Sequence, residues 1–91
     1  MLLRDLWTPS AAGTFYARTG GPALAGDVLP VVLVHGMVVS SRYMVPTAER
    51  LAALCKVYAV DLPGYGKSYK PARMLSLPEL ADALAHWMEL V

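Results

Sequence analysis

The sequence predicts an α/β fold in which parallel strands are flanked by helices, and three observations carry that expectation. Two short aliphatic runs, Val31-Val32-Leu33-Val34 and Val57-Tyr58-Ala59-Val60, enclose a helical pattern, and strand, helix, strand within about 30 residues is the length of one βαβ unit. The first run is apolar on both faces, which suits a strand covered by helices on both sides of a parallel sheet. A second helix, announced by a capping box, follows the second run.

Taken in order, the first 30 residues read as loop-rich, and residues 1–13 are expected to be poorly ordered. Within this stretch Thr14-Phe15-Tyr16-Ala17-Arg18 alternates and is closed by Gly20-Gly21-Pro22, the pattern of a short strand and its stop. After the aliphatic strand and the loop from His35 to Ser41, Pro46 suits the first turn of a helix. Ala48, Leu51, Ala52 and Cys55 recur at helical spacing, with Glu49, Arg50, Ala53 and Lys56 on the other side. The last helix runs from Ser76 to Val91. Ser76 and Glu79 form an S-x-x-E box, and Pro78 is tolerated in the first turn. Leu77, Leu80, Ala81, Leu84, Ala85 and Met88 make its expected apolar face, opposite Asp82, His86 and Glu89.

Composition excludes several functions. At 56% hydrophobic and 16% charged residues the chain is too apolar to be disordered. A formal net charge of +1 leaves no positive field of the kind a nucleic-acid binder shows. The single cysteine, Cys55, cannot form an internal disulfide and fits a reducing compartment. Met1 to Trp7 includes Asp5 and lacks the apolar core of a signal peptide. Val28 to Val39 is broken by Pro30, His35 and Gly36, well short of the roughly 20 residues a membrane helix needs. A soluble, cytoplasmic protein without nucleic-acid or membrane partners is expected. For 91 residues a mean hydropathy of +0.43 is high. Either apolar faces are hidden against a partner, self-association included, or the chain is part of something larger.

Parallel strands place their ligand crevice at their C-terminal ends. Two loops leave that edge, 35–41 and 61–68, and both contain glycine. Gly66-Lys67-Ser68 resembles the end of a phosphate-binding loop, but Asp61 stands where its first glycine is required. Pro71 follows too soon for the helix that should hold the anion. The first loop has Gly36 alone where a dinucleotide loop needs three glycines. No cofactor and no metal is expected. Asp61 reads as an acceptor for backbone N–H groups of the turn after it. Pro63, Gly64 and Gly66 read as turn-formers, and Lys67, Ser68 and Lys70 as solvated loop residues. Asp82 and His86 read as a surface pair, and Tyr43, Met44 and Tyr65 as pocket or core residues.

Together, Val31 to Gly36, Ser40-Ser41 opening a helix, and Val60-Asp61-Leu62-Pro63-Gly64-Tyr65-Gly66-Lys67-Ser68 resemble the N-terminal part of the α/β-hydrolase-fold superfamily, over about residues 14–91. The resemblance implies that the backbone N–H of Met37 is one oxyanion-hole donor, with its side chain lining an acyl pocket. Gly36 and His35 would support that loop, the histidine ring through structural hydrogen bonds. It implies a small-molecule substrate, with an ester or related bond cleaved by a Ser-His-Asp/Glu mechanism. The nucleophile elbow G-x-S-x-G does not occur, and the acid and base would follow later still. Residues 1–91 are therefore expected to be a partial hydrolase domain that ends before the nucleophile strand and is inactive alone. The alternatives are a non-catalytic interaction module and, more remotely, a small nucleotide-binding domain.

Overall fold

A computed structural model describes residues 3–23, 29–36 and 39–91. Four strands, β1 (Arg4–Pro9), β2 (Thr14–Gly20), β3 (Val31–Val34) and β4 (Val57–Val60), form one sheet in the order β1-β2-β4-β3. Only β3 and β4 are parallel, in a register that pairs Val34 with Val60; β1 pairs antiparallel with β2, and β2 with β4. The α/β class holds, in a mixed sheet.

Alternation along β4 divides the core in two, because successive side chains of a strand point to opposite faces. Val57 and Ala59 join Ala48 of α1 (Val45–Leu51) and Ala52, which ends it, on one side. Tyr58 and Val60 join Phe15, Ala17 and Trp87 on the other, beneath α2 (Leu77–Leu90). All four β4 residues are buried. The alanines at 48 and 52 let α1 lie close to the strand, while Trp87 fills the wider gap beneath α2.

Four expectations are corrected. Residues 4–9 are not poorly ordered: they form β1, joined to β2 by a turn in which the Ser10 hydroxyl donates to Gly13 O and Gly13 takes φ 152°. The strand was hard to read because it is an edge strand carrying Arg4, Asp5 and Pro9, residues that keep an edge solvated. The chain also continues β2 past Arg18 to Gly20. Second, β3 is packed on both faces, Val32 toward the Trp87 side and Val31 and Leu33 toward the Ala48 side, but only half-buried, and Val34 is exposed because β3 ends the sheet among the described residues. Third, α1 stops at Leu51, short of Cys55, and is preceded by a 3-10 turn over Ser41–Met44.

The fourth correction concerns α2. Its capping box forms in full, the Ser76 hydroxyl accepting from Glu79 N and the Glu79 carboxylate from Ser76 N. The face on the sheet, however, is Leu80, Ala83, Leu84 and Trp87. Leu77 and Met88 are 69% and 50% exposed, and Ala81 and Ala85 are exposed too. Burial of one indole outweighs several small side chains, and that rotates the helix away from its alanine-rich stripe. Among the described residues no helix is long and apolar enough to cross a membrane.

Candidate functional site

The parallel pairing of Val34 with Val60 brings the loops after β3 and β4 side by side, so that His35 and Asp61 leave the same edge of the sheet. His35 is buried, and both of its ring nitrogens are engaged. Nε2 accepts the backbone N–H of Leu62 at 3.0 Å, and Nδ1 lies 2.7 Å from Gly36 O. An acceptor at Nε2 requires the neutral tautomer protonated at Nδ1, so Nδ1–H donates to the Gly36 carbonyl. Tyr65 closes over the ring edge-on, with centroids 5.3 Å apart.

Asp61 is 1% exposed. Its Oδ1 accepts the N–H of Ser41 at 2.6 Å and its Oδ2 the N–H of Lys67 at 2.8 Å. The second of these is the turn bond expected from sequence; the first crosses to the other loop. Gly66 sits at φ +50°, and a Cβ placed there would overlap the Asp61 carboxylate. Glycine is needed at 66 both for its left-handed backbone and for the room it leaves. Gly64, at φ +92°, makes the other sharp step of the turn.

Ser68 is not a solvated loop residue. It is 2% exposed, its hydroxyl accepts from Tyr16 N at 2.9 Å and donates to Asp61 O, and it ties the loop to β2. Ser41 is likewise buried; its hydroxyl accepts from Arg18 Nε at 3.2 Å. Sequence reasoning missed both, although the spacing of Ser68 from Asp61, Gly64 and Gly66 was a usable signal. Lys70 donates to the carbonyls of Tyr65, Gly66 and Ser68 and so caps the turn. Lys67 stays exposed, with its ammonium 4.9 Å from the centre of the Tyr16 ring. That ring is fully buried; desolvation, then its hydrogen bond to Asp5, push the phenol up to about 12.

Gly36 is exposed, and a Cβ there would meet nothing within 4 Å. It opens onto two grooves. One, of about 280 Å³, lies between β3 and α2 and is lined by Val34, Leu62, Leu77, Leu80 and Leu84. The other, of about 450 Å³, lies on the α1 side against Val39, Tyr43 and Met44. Met37 lies outside the described residues. Asp82 and His86 are exposed on α2, and among the described residues no hydrogen bond joins either to these loops. Each serine hydroxyl with a described bond is engaged away from His35, so no Ser-His pair is assembled here.

The sequence pattern of the alpha/beta hydrolase family matches residues 31–91, which include both loops and both β3 and β4. The chain belongs to this family. Among curated hydrolases it is similar to the pimeloyl-[acyl-carrier protein] methyl ester esterase of Xylella fastidiosa, 38% identical over 65 residues. That match covers 71% of this chain and 23% of the esterase, so the chain spans about a quarter of such relatives. Among solved hydrolases it resembles a loop variant of the haloalkane dehalogenase DbeA from Bradyrhizobium elkanii, with a TM-score of 0.86 at 25% identity. That alignment covers 98% of this chain and 29% of the dehalogenase. It also resembles the N-acyl homoserine lactonase AidH, with a TM-score of 0.80 at 26% identity over 96% of this chain and 32% of the lactonase.

Proposed function

We propose that these 91 residues are the first part of a hydrolase that cleaves an ester or related bond in a small molecule, and that they supply one half of its oxyanion hole. The observation that carries this is the grip of His35 on the Gly36 carbonyl. That carbonyl and the next amide, Met37 N–H, belong to one planar peptide unit, so fixing the carbonyl fixes the donor. A fixed donor facing a developing oxyanion is worth about 2.7–4 kcal/mol in the transition state. Gly36 contributes by leaving open space where the reacting carbonyl would sit. His35 is a positioning residue, because its Nε2 is committed to Leu62 N–H. A serine nucleophile, an acid and a histidine base would come from outside residues 1–91, on a strand and loops beyond this partial domain. The chain alone is therefore inactive.

A chimera tests this. Residues 31–91 replace the matching segment of the Xylella esterase, and hydrolysis of a methyl ester is measured. Turnover is expected, and Met37→Pro, which deletes the proposed donor, is expected to lower kcat on the order of 100-fold or more. A folded chimera that turns over equally well with Met37→Pro refutes the assignment. So does ester turnover by the isolated 91-residue chain.

A second reading, a non-catalytic module that self-associates in the cytoplasm, is favoured by β3. Its outer edge is aliphatic throughout, and Leu77 and Tyr43, 69% and 71% exposed, line the grooves on either side. Concentration-independent monomeric behaviour in sedimentation would remove it.

A further inference from the structure

Resting on the oxyanion-loop reading above, we propose that Asp61 is a positioning residue that holds this loop from its helix end, as His35 holds it from its strand end. The five residues 36–40 lie between two anchors. At the strand side, Leu62 N–H fixes the His35 ring, which grips Gly36 O. At the helix side, Asp61 Oδ1 accepts Ser41 N–H, the first amide of the 3-10 turn. Asp61 and Leu62 are consecutive, so both ends of the loop hang from one dipeptide at the end of β4.

All three anchoring side chains are buried: His35 is 5% exposed, Ser41 0% and Asp61 1%. Between them Gly36 is exposed and opens onto both grooves, and Val39 and Ser40 are half-buried. Buried anchors are what a preorganised donor requires, because its advantage lies in needing no reorganisation during reaction. A carboxylate serving only its own turn would need one acceptor oxygen, for Lys67 N–H. The second oxygen is spent on a residue 20 positions away. Asp61 is itself fixed: Lys67 N–H holds the other oxygen, Gly66 leaves room for it, and Ser68 Oγ holds its backbone carbonyl. Among the described residues no basic side chain forms an ion pair with it, so the two amides are its main compensation for burial.

The test uses the full 91-residue chain and backbone amide hydrogen exchange, with the tautomer of His35 read from its ring nitrogen resonances. Ser41→Pro removes the N–H that Asp61 accepts together with the hydroxyl that accepts from Arg18, and Ser41→Ala controls for the hydroxyl. Proline is tolerated at the first helical position, and Ser40 before it is already extended, at φ −143° and ψ −179°. Exchange at Val39 and Ser40 is expected to rise about tenfold or more, the scale of one lost bond to a charged group. Tyr58 and Val60 should stay protected and His35 should remain protonated at Nδ1. Asp61→Ala should loosen the same residues and Lys67 as well. Ser41→Ala, which loses only the Arg18 contact, should leave Val39 and Ser40 unchanged.

If Val39 and Ser40 are unmoved by Ser41→Pro in a chain whose β4 amides remain protected, the anchor does not exist. If β4 and the loop loosen equally in both variants, Asp61 holds the fold and not the loop, and the proposal is wrong. In the esterase chimera, Asp61→Ala should lower kcat about tenfold or more with KM nearly unchanged, as for an interaction realised only in the transition state. A raised KM at unchanged kcat would overturn the positioning role. A folded chimera silent before any Asp61 substitution would instead refute the hydrolase reading, leaving the exchange data to decide the anchor.

Discussion

Two loop glycines, Gly36 and Gly66, should respond to alanine very differently. At Gly66 the backbone is left-handed, at φ +50°, and a Cβ would overlap the Asp61 carboxylate. The left-handed conformation costs an L-residue about 1–2 kcal/mol. Pushing the carboxylate aside breaks at least one of its amide bonds, to Ser41 or Lys67, and a bond to a charged group contributes about 1.5–3 kcal/mol. Gly66→Ala should therefore cost about 2.5–5 kcal/mol, a large part of the 5–15 kcal/mol typical of a domain. At Gly36 nothing lies within 4 Å of the added atom and φ is not left-handed, so Gly36→Ala should stay within about 0.5 kcal/mol. Urea unfolding followed by tryptophan fluorescence measures both, since Trp87 is fully buried. A midpoint at least about 1 M lower is expected for Gly66→Ala and none of note for Gly36→Ala. A loss below about 1 kcal/mol at Gly66, or equal losses at both sites, would refute the reasoning.

Trp87 supplies the next test: its indole N–H is buried with no hydrogen-bond partner among the described residues, and its ring meets Tyr58 edge-on at 5.6 Å. Trp87→Phe removes an N–H that costs about 1–3 kcal/mol to bury unpaired, so in thermal unfolding it should be far milder than Trp87→Ala, which should lose about 3–5 kcal/mol. At the start of α2 the Arg73 guanidinium, with help from Ser76, holds the Glu79 carboxyl at about 2. A depressed carboxyl stabilises above its ordinary value near 4.3 and loses that contribution as pH falls toward 2; amide exchange at Glu79 should therefore quicken across that window, and Arg73→Ala should return the side-chain titration toward 4.3. The Tyr16 phenol, pushed up to about 12 by burial and by Asp5, should ionise closer to 10 in Asp5→Asn when followed by ultraviolet absorbance.

What could be read from the sequence was what depends on neighbours in the chain. The aliphatic runs at 31–34 and 57–60, the capping box at Ser76 and Glu79, and the glycine-bearing loops are local patterns, and each lies where expected. The fold class and the placing of both loops at one sheet edge followed from them. What was missed depends on partners distant in the chain. The β1 strand needs β2 to be recognisable, because Arg4, Asp5 and Pro9 argue against a strand in isolation. The turn of α2 about its axis is set by the space beneath Tyr58 and Val60, which no helical spacing reports. Ser41 and Ser68 look like loop serines until β2 supplies Arg18 and Tyr16 as their partners. Half of the Asp61 network was legible, the turn bond to Lys67. The bond to Ser41 was not, since it depends on the parallel register of β3 and β4.

The strand order has a consequence for the nascent chain. Because β4 stands between β2 and β3, the hairpin of β1 and β2 and the aliphatic β3 cannot join until β4 has been made. At about 5–20 residues per second, the roughly 26 residues from Val34 to Val60 take about 1–5 s to synthesise. Throughout that interval β3 lacks β4, its strand neighbour, and cannot enter the sheet. Translation speed across residues 35–60 therefore sets how long β3 waits for the only strand it pairs with among the described residues.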